Sequence, residues 1–240
     1  MIDKHGKHLD ARQLLKELYT EDETLEFVCY FKSMPFVHAA KISKLTRHYI
    51  LFNTTPNQIV AIQETGHVYI ISKKYPNYTF EAKFLEMSKT DDTAISLYDF
   101  EVFNQTYRPR QKLRIVPDSS FELTLIDFMI KIHKPDVNTI SSNSISLSFD
   151  RLPSTINMNT EFHIKIKFRL DNGESSGKIA IKCSPIRIGE VGGLPKVVAS
   201  FISIKKDNQE LLDKYLYDQQ LKVIQEFKSI SDIVLWKVNR

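Results

Sequence analysis

The feature that most constrains the fold is a strictly alternating run between Glu161 and Leu170. Its apolar positions are Phe162, Ile164, Ile166, Phe168 and Leu170. The positions between them carry His163, Lys165, Lys167 and Arg169. A period of two is that of a β-strand, because successive side chains of a strand point to opposite faces of the sheet. The run therefore predicts a strand with one face in a hydrophobic core and a cationic face in water.

Other segments rich in β-branched and aromatic residues predict a mainly β chain. The predicted strands are 47–52, 58–62, 67–71, 78–87, 94–103, 121–132, 144–149, 178–188 and 196–204. Helices are predicted from Leu9 to Tyr19 and from Asp207 to Phe227, where apolar residues recur at helical spacing. The expected order is a short helix, two groups of strands and a final helix.

The length and the linker predict two domains. A chain of 240 residues is long enough for one large domain or two small ones. The stretch 104–109 is polar and contains a proline, which is typical of a linker. We expect domains at 1–105 and 106–240. The first is predicted to be a small β-barrel or sandwich that begins with a helix.

The charge of the chain is unevenly distributed. The 33 Lys and Arg against 29 Asp and Glu give a net charge of +4, which is too small to indicate a dedicated nucleic-acid-binding protein. Residues 1–105 hold 12 basic and 14 acidic residues, a net of −2, and residues 106–240 hold 21 and 15, a net of +6. The basic excess belongs to the second half.

Several classes of protein are excluded or disfavoured by the sequence. Cys29 and Cys183 stand far apart among apolar neighbours, which predicts buried thiols in a reducing compartment and no disulfide framework. The chain has neither a signal-peptide pattern nor a run near the roughly 18 apolar residues of a membrane span, so we expect a cytoplasmic protein. Neither a catalytic motif nor a metal-binding cluster is recognisable, so we expect no enzyme activity and no cofactor.

The densest basic window is 108–114, which carries Arg108, Arg110, Lys112 and Arg114 and no acidic residue. Arginine suits planar, forked recognition of a phosphate or of a guanine edge. The alternative interpretation is a solvated basic linker. About 25 residues later comes the hydroxyl- and amide-rich segment 139–144, Thr-Ile-Ser-Ser-Asn-Ser, which leads into alternating apolar positions.

This pair of segments resembles the PilZ domain, a bacterial receptor module for cyclic di-GMP. The PilZ signature is Arg-x-x-x-Arg followed by (Asp/Asn)-x-Ser-x-x-Gly ahead of a strand, and Arg110 and Arg114 match its first part. The segment 197–204 resembles the last PilZ strand, and 207–227 resembles the helix that commonly follows it. The first half resembles the N-terminal β-barrel of two-domain PilZ proteins of the flagellar-brake type.

The resemblance implies a fold and a function. The fold would be two small antiparallel β-barrels in tandem, a split-barrel-like N-terminal domain and a PilZ barrel, with a C-terminal helix. The function would be that of a cyclic di-GMP effector which changes its inter-domain arrangement to regulate a protein partner, for example in motility or surface behaviour. The implied ligand-binding residues are Arg110, Arg114 and the motif serine Ser141, with Arg108, Thr139, Asn143 and Ser144 beside them.

The sequence departs from the PilZ signature at two positions. Thr139 stands where the motif has an acidic or amide residue, and Ser144 stands where it has glycine. Asn138 and Asn143 are neighbouring amides that would substitute only after a shift of register. Loss of one good hydrogen bond to a ligand costs about 1–3 kcal/mol, or one to two decades of affinity. An alternative hypothesis is therefore a degenerate PilZ protein that binds no nucleotide and acts as a protein–protein interaction module.

A third hypothesis is weak binding of nucleic acid by the cationic strand that contains Lys165, Lys167 and Arg169. Barrels that bind single strands combine a basic face with aromatic side chains on which bases stack. Here the residues that alternate with the cations are core positions, so the basic face lacks such aromatics. We therefore expect no nucleic-acid partner.

Overall fold

The structure is a computed structural model. It describes residues 10–88, 91–104, 113–170 and 176–238, the last six by their backbone alone. The described residues divide between two compact units, 1–110 with 225–240 and 111–224. The predicted domain boundary at residue 105 lies at the edge of a segment, 105–112, that is outside the described residues.

The first unit is built on a closed six-stranded antiparallel barrel. Its elements in chain order are α1 (Ala11–Thr20), β1 (Leu25–Phe31), β2 (Met34–Leu45), β3 (Ile50–Asn53), α2 (Pro56–Thr65), β4 (His67–Ile71), β5 (Thr79–Met87) and β6 (Ala94–Phe103). The strand order around the barrel is β1-β2-β3-β6-β5-β4. Alternate residues of the strands fill the interior, including Phe27, Phe52 and Phe80, all fully buried.

Helix α2 corrects one sequence prediction, because residues 58–62 were expected to form a strand. The Thr55 hydroxyl accepts a hydrogen bond from the Gln58 amide, and Pro56 occupies the first turn. Gly66 ends the helix in the left-handed region, with φ of +76°. The apolar run is β-branched, but it is buried on all sides, and these end signals decide its conformation.

The second unit contains a seven-stranded antiparallel sheet. Its elements are β7 (Glu122–Ile126), β8 (Ile132–His133), β9 (Asp136–Ile140), β10 (Ser144–Ser148), β11 (Phe162–Arg169), β12 (Ser176–Val191), β13 (Leu194–Ile204) and the part of α3 (Lys206–Val238) that precedes Gln225. The strand order is β8-β7-β11-β12-β13-β10-β9. Strand β11 is the alternating run, and it has the predicted buried and exposed faces.

The fold class expected from the sequence is confirmed as mainly β, with two β units in succession and a C-terminal helix. The last helix closes the core of the second unit through Tyr215, whose buried ring lies 4.6 Å from that of Phe168 and 5.5 Å from that of Phe121. From Gln225 onward the helix belongs to the first unit, where the Phe227 ring lies 4.3 Å from that of Phe36.

A tight turn interrupts the strand predicted at 121–132 and separates β7 from β8. The buried Asp127 carboxylate accepts hydrogen bonds from the amides of Met129 and Lys131. It also accepts from the Thr155 hydroxyl at 2.6 Å and lies 3.0 Å from His133 Nε2. The apolar content of the segment predicted a continuous strand, but a buried acceptor that satisfies two successive amides favours a turn.

The turn places Ile130 at a φ of +64°, where a β-branched side chain is strained. We expect Ile130→Asn to raise the free energy of unfolding by about 1 kcal/mol, because asparagine tolerates this region and the isoleucine side chain is exposed. Urea unfolding followed by circular dichroism measures the change. Ile132→Asn is the matched control, since Ile132 is also exposed but lies in β8 without a positive φ. An equal effect of both variants would contradict the prediction.

Asp127 also predicts a dependence of stability on pH. Burial by itself raises the pKa of Asp127, but the hydrogen bonds from Thr155, His133 and the two amides outweigh burial and hold this pKa well below its ordinary value. A lowered pKa contributes stability above the unfolded-state value and loses it as pH falls, here below about pH 4. Urea midpoints should therefore decline more steeply in acid for the wild type than for Asp127→Asn. Asp136→Asn, at an exposed position, should decline like the wild type.

Candidate functional site

The candidate site forms where the chain enters the second unit and meets the start of β10. Ile115 pairs with Ile140, and each amide donates to the other residue's carbonyl at 2.9 Å. This pairing places Arg114 beside the turn that joins β9 to β10. The Nη2 atom of Arg114 donates to the Ser144 hydroxyl at 3.4 Å, across thirty residues of sequence. The structure therefore brings together one residue from each of the two predicted motifs.

The turn between β9 and β10 is held by its own polar groups. The Ser141 amide donates to the Ser144 carbonyl at 2.9 Å, and the two hydroxyl oxygens lie 2.8 Å apart. The Ser141 hydroxyl also lies 3.1 Å from Oδ1 of Asn143, to which it is able to donate. Because a guanidinium only donates, the Ser144 hydroxyl accepts from Arg114 and is able to donate its own hydrogen to the Ser141 hydroxyl. Arg114, Ser144, Ser141 and Asn143 therefore form one connected hydrogen-bond network.

Two further elements fix this turn. The Phe201 amide of β13 donates to the Asn143 carbonyl at 2.9 Å. From α3, Gln209 Nε2 donates to the Ser142 carbonyl at 3.3 Å. Ser141 and Ser144 are consequently buried, with 1% and 7% of their surfaces exposed. Hydrogen bonds from β13 and α3 thus hold the turn in one conformation at the sheet edge. Such support keeps the side chains of a binding site in place before a ligand arrives.

Thr139 and Ser146 lie opposite each other on the same outer face of β9 and β10. Thr139 is half-buried, and Ser146 is 2% exposed. Within the described part of the chain, the Ser146 hydroxyl makes no hydrogen bond. The sequence motifs did not single out Ser146, although a period of two from Ser144 places both on one face. The side-chain amide of Asn138 donates a hydrogen bond to the Ser148 hydroxyl at 2.7 Å and does not join the turn between β9 and β10.

Two of the predicted ligand-binding residues, Arg108 and Arg110, lie outside the described residues. Of the others, the structure brings together Arg114, Ser141, Asn143 and Ser144, and it places Thr139 two residue pairs further along the sheet, opposite Ser146. Ser144 is not among the residues with positive φ, so its backbone conformation does not require glycine.

Solved structures similar to this chain include proteins named for motility and cyclic di-GMP. The Bacillus subtilis inhibitor of motility MotI/DgrA is 15% identical with a TM-score of 0.41, over 84% of this chain and 97% of that one. Escherichia coli YcgR, solved in complex with c-di-GMP, is 11% identical with a TM-score of 0.44, over 92% and 93%. The PilZ domain of YcgR with c-di-GMP is 12% identical with a TM-score of 0.39, over 50% and 97%.

PilZ is the family that the sequence motifs resemble, and it is named among these structural neighbours. No family model and no curated protein matches the sequence. At such identities and TM-scores, the inference of function depends on the residues of the site.

Among the residues that the structure describes, the other reactive or metal-binding groups form no second site of comparable quality. Burial raises the pKa of the Cys29 thiol to about 12 and also raises that of Cys183, so neither buried thiol is a nucleophile at neutral pH. Within the described ranges, no three metal-ligating side chains are grouped so as to hold an ion. Among the helices described, none combines the length and the apolar content needed to cross a bilayer.

Proposed function

We propose that this protein is a cyclic di-GMP-binding effector whose ligand contacts Arg114 and the turn formed by Ser141, Asn143 and Ser144. The observation that carries the proposal is the contact between Arg114 and Ser144, which joins two sequence motifs across thirty residues. An arginine held next to a rigid, polar turn at a sheet edge is a suitable receptor for a phosphodiester joined to a guanine base.

The chemistry of the outer sheet face supports a planar, polar ligand. Ser144 pairs with Ser200 of β13, which in turn pairs with Ser184 of β12. Ser200 and Ser184 are half-buried, and small side chains of this kind let a flat ring approach the backbone closely. The buried hydroxyl of Ser146, two residues further along β10, adds a donor and an acceptor next to this row. Arg110, which completes the Arg-x-x-x-Arg pattern in the sequence, supplies a second guanidinium in this proposal.

The proposed output is regulation of a protein partner, without catalysis, through a change in the arrangement of the two domains. Isothermal titration of the protein with cyclic di-GMP tests the binding step, with GMP as the control ligand. Saturable heat with cyclic di-GMP and none with GMP is the expected result. The absence of heat at high ligand concentration would contradict the proposal. Small-angle scattering with and without the ligand then tests the change in arrangement.

A second candidate function is favoured by one specific observation. The side chains of Arg114, Ser144, Ser141 and Asn143 already hydrogen-bond to one another. A ligand would have to compete with these internal bonds, which lowers its affinity. In this alternative the protein is a degenerate PilZ protein and acts as a protein–protein interaction module, so partner capture is independent of added cyclic di-GMP and survives loss of Arg114.

Ser144→Gly distinguishes the two candidates. If Ser144 competes for Arg114, its replacement by the motif glycine removes the hydrogen bond between them and opens space at the turn, and we expect cyclic di-GMP to bind about tenfold more tightly. Ser148→Gly is the matched control. It also puts a glycine into β10, with the same expected loss of strand stability, but at a position that does not hydrogen-bond to Arg114. Titration of the three proteins gives the comparison. If neither the wild type nor Ser144→Gly binds, the interaction module is the better description.

A further inference from the structure

The turn between β7 and β8 displays an unusual group of apolar side chains, which we call the apolar tip: Phe128, Met129, Ile130 and Ile132. Their exposed fractions are 61%, 55%, 82% and 66%. Scattered exposed apolar residues are ordinary on protein surfaces, but four within five positions form a contiguous patch that marks an interaction site. The tip has no role in the proposed nucleotide site, which lies on β9 and β10.

The apolar tip is held in a defined conformation. The Asp127 carboxylate accepts from the amides of Met129 and Lys131, and the Ile130 amide donates to the Asp127 carbonyl at 3.0 Å. Asp127 is itself anchored to Thr155 and His133. The turn also holds Ile130 at a strained φ of +64°. Such strain persists where the surrounding structure fixes it, and it is found most often at functional sites.

A basic surface adjoins the tip, which we call the cationic sheet face. It consists of outward residues of β11 and β12 that lie side by side in register: His163, Lys165, Lys167, Arg169, Lys178 and Lys182. A cavity of about 500 Å³ is lined by Phe128 together with His163 and Lys182, so the tip and the face are continuous. Within the described part of this face, Glu161 forms an ion pair with Lys182, and Glu122 lies opposite Lys167 on β7.

We propose that the apolar tip and the cationic sheet face together bind the surface of an anionic phospholipid bilayer. The four apolar side chains follow one another around a turn, so they project in several directions and are all exposed. A groove on a protein would bury one or two of these side chains. The interfacial region of a bilayer buries apolar groups whatever direction they point in, because the hydrophobic effect is not directional. Lys131 and Lys134 beside the tip and the cations of the sheet face then meet the negative surface potential of the lipids.

Co-sedimentation of the whole protein with vesicles tests this proposal. We expect the protein to sediment with vesicles that contain phosphatidylglycerol, to remain in solution with pure phosphatidylcholine, and to be released by high salt. Ile130→Asn should weaken partitioning by roughly tenfold while the protein stays folded, because it removes the most exposed side chain of the tip and also relieves the strained φ. Lys165→Glu/Lys167→Glu should weaken it by a similar factor.

Val191→Asn is the matched control, since Val191 is an exposed apolar residue at the β12–β13 turn, next to Glu190 and away from the cationic sheet face. It should partition like the wild type. The proposal is overturned if the wild type does not sediment with phosphatidylglycerol vesicles, or if Ile130→Asn sediments as well as the wild type. Binding to polyglutamate or to single-stranded DNA without binding to vesicles also overturns it and assigns the face to an acidic macromolecule.

Discussion

Arg114→Ala is expected to weaken cyclic di-GMP binding by about a hundredfold. Removal of a guanidinium that hydrogen-bonds to a phosphate or a guanine edge costs about 2–3 kcal/mol, which is about that factor in the dissociation constant. Because Arg114 is half-buried and its guanidinium already hydrogen-bonds to Ser144, part of the cost of ordering this side chain is met before the ligand binds. Isothermal titration of wild type and variant measures the difference.

Two further variants make the interpretation specific. Arg114→Lys keeps the charge but loses the forked geometry, so its affinity should lie between those of wild type and alanine variant. Arg169→Ala removes an exposed arginine from β11, far from the turn in the order of strands, and should bind like the wild type. Equal affinity of Arg114→Ala and wild type would show that Arg114 is not a ligand residue. Circular dichroism verifies that each variant is folded.

Tyr215→Ala is expected to cause the largest loss of stability, about 3–5 kcal/mol, since it empties a large aromatic site in the core of the second unit. Tyr215 is fully buried and contacts the rings of both Phe121 and Phe168. Its hydroxyl accepts a hydrogen bond from the Asp118 amide at 3.4 Å. Asp118 is also bound by Gln219 and Lys222, so the helix and the preceding loop are joined at this point.

Tyr217→Ala provides the matched control for this effect. Tyr217 lies two residues further along α3 and is 59% exposed, so its loss should change the free energy of unfolding by less than about 0.5 kcal/mol. Tyr215→Phe keeps the buried ring and loses the hydroxyl that accepts the long hydrogen bond from the Asp118 amide, so it should be nearly as stable as the wild type. Urea unfolding of the four proteins tests the series. Similar destabilisation by Tyr215→Ala and Tyr217→Ala would contradict the assigned packing.

Local patterns in the sequence determined most of the strands. The alternation along β11 predicted both its conformation and its buried face, because period and burial follow from the residues themselves. Where local patterns conflicted, the prediction was wrong. Residues 58–62 have strand-like composition, but Thr55, Pro56 and Gly66 are the end signals of a helix, and those signals decide the conformation of α2.

The turn at Asp127 was not predictable from periodicity. The residues that follow it are apolar and compatible with a strand, and the turn is favoured by a carboxylate that also receives the hydroxyl of Thr155 from 28 residues away. Thr155 becomes a hydrogen-bond partner of the buried Asp127 carboxylate only when two distant segments of the chain pack together. A short stretch of sequence does not contain that information.

For the candidate site, the sequence by itself determined which residue types are present: the arginines of 108–114 and the serines of 141–144, in the spacing that resembles PilZ. Only the tertiary structure decided that Arg114 meets Ser144 and that Ser141, Asn143 and Ser144 form one network with it. The physical reason is register. A period of two fixes which face a side chain occupies, whereas the Ile115–Ile140 pairing fixes its neighbour across the sheet, and that pairing depends on the packing of the whole core.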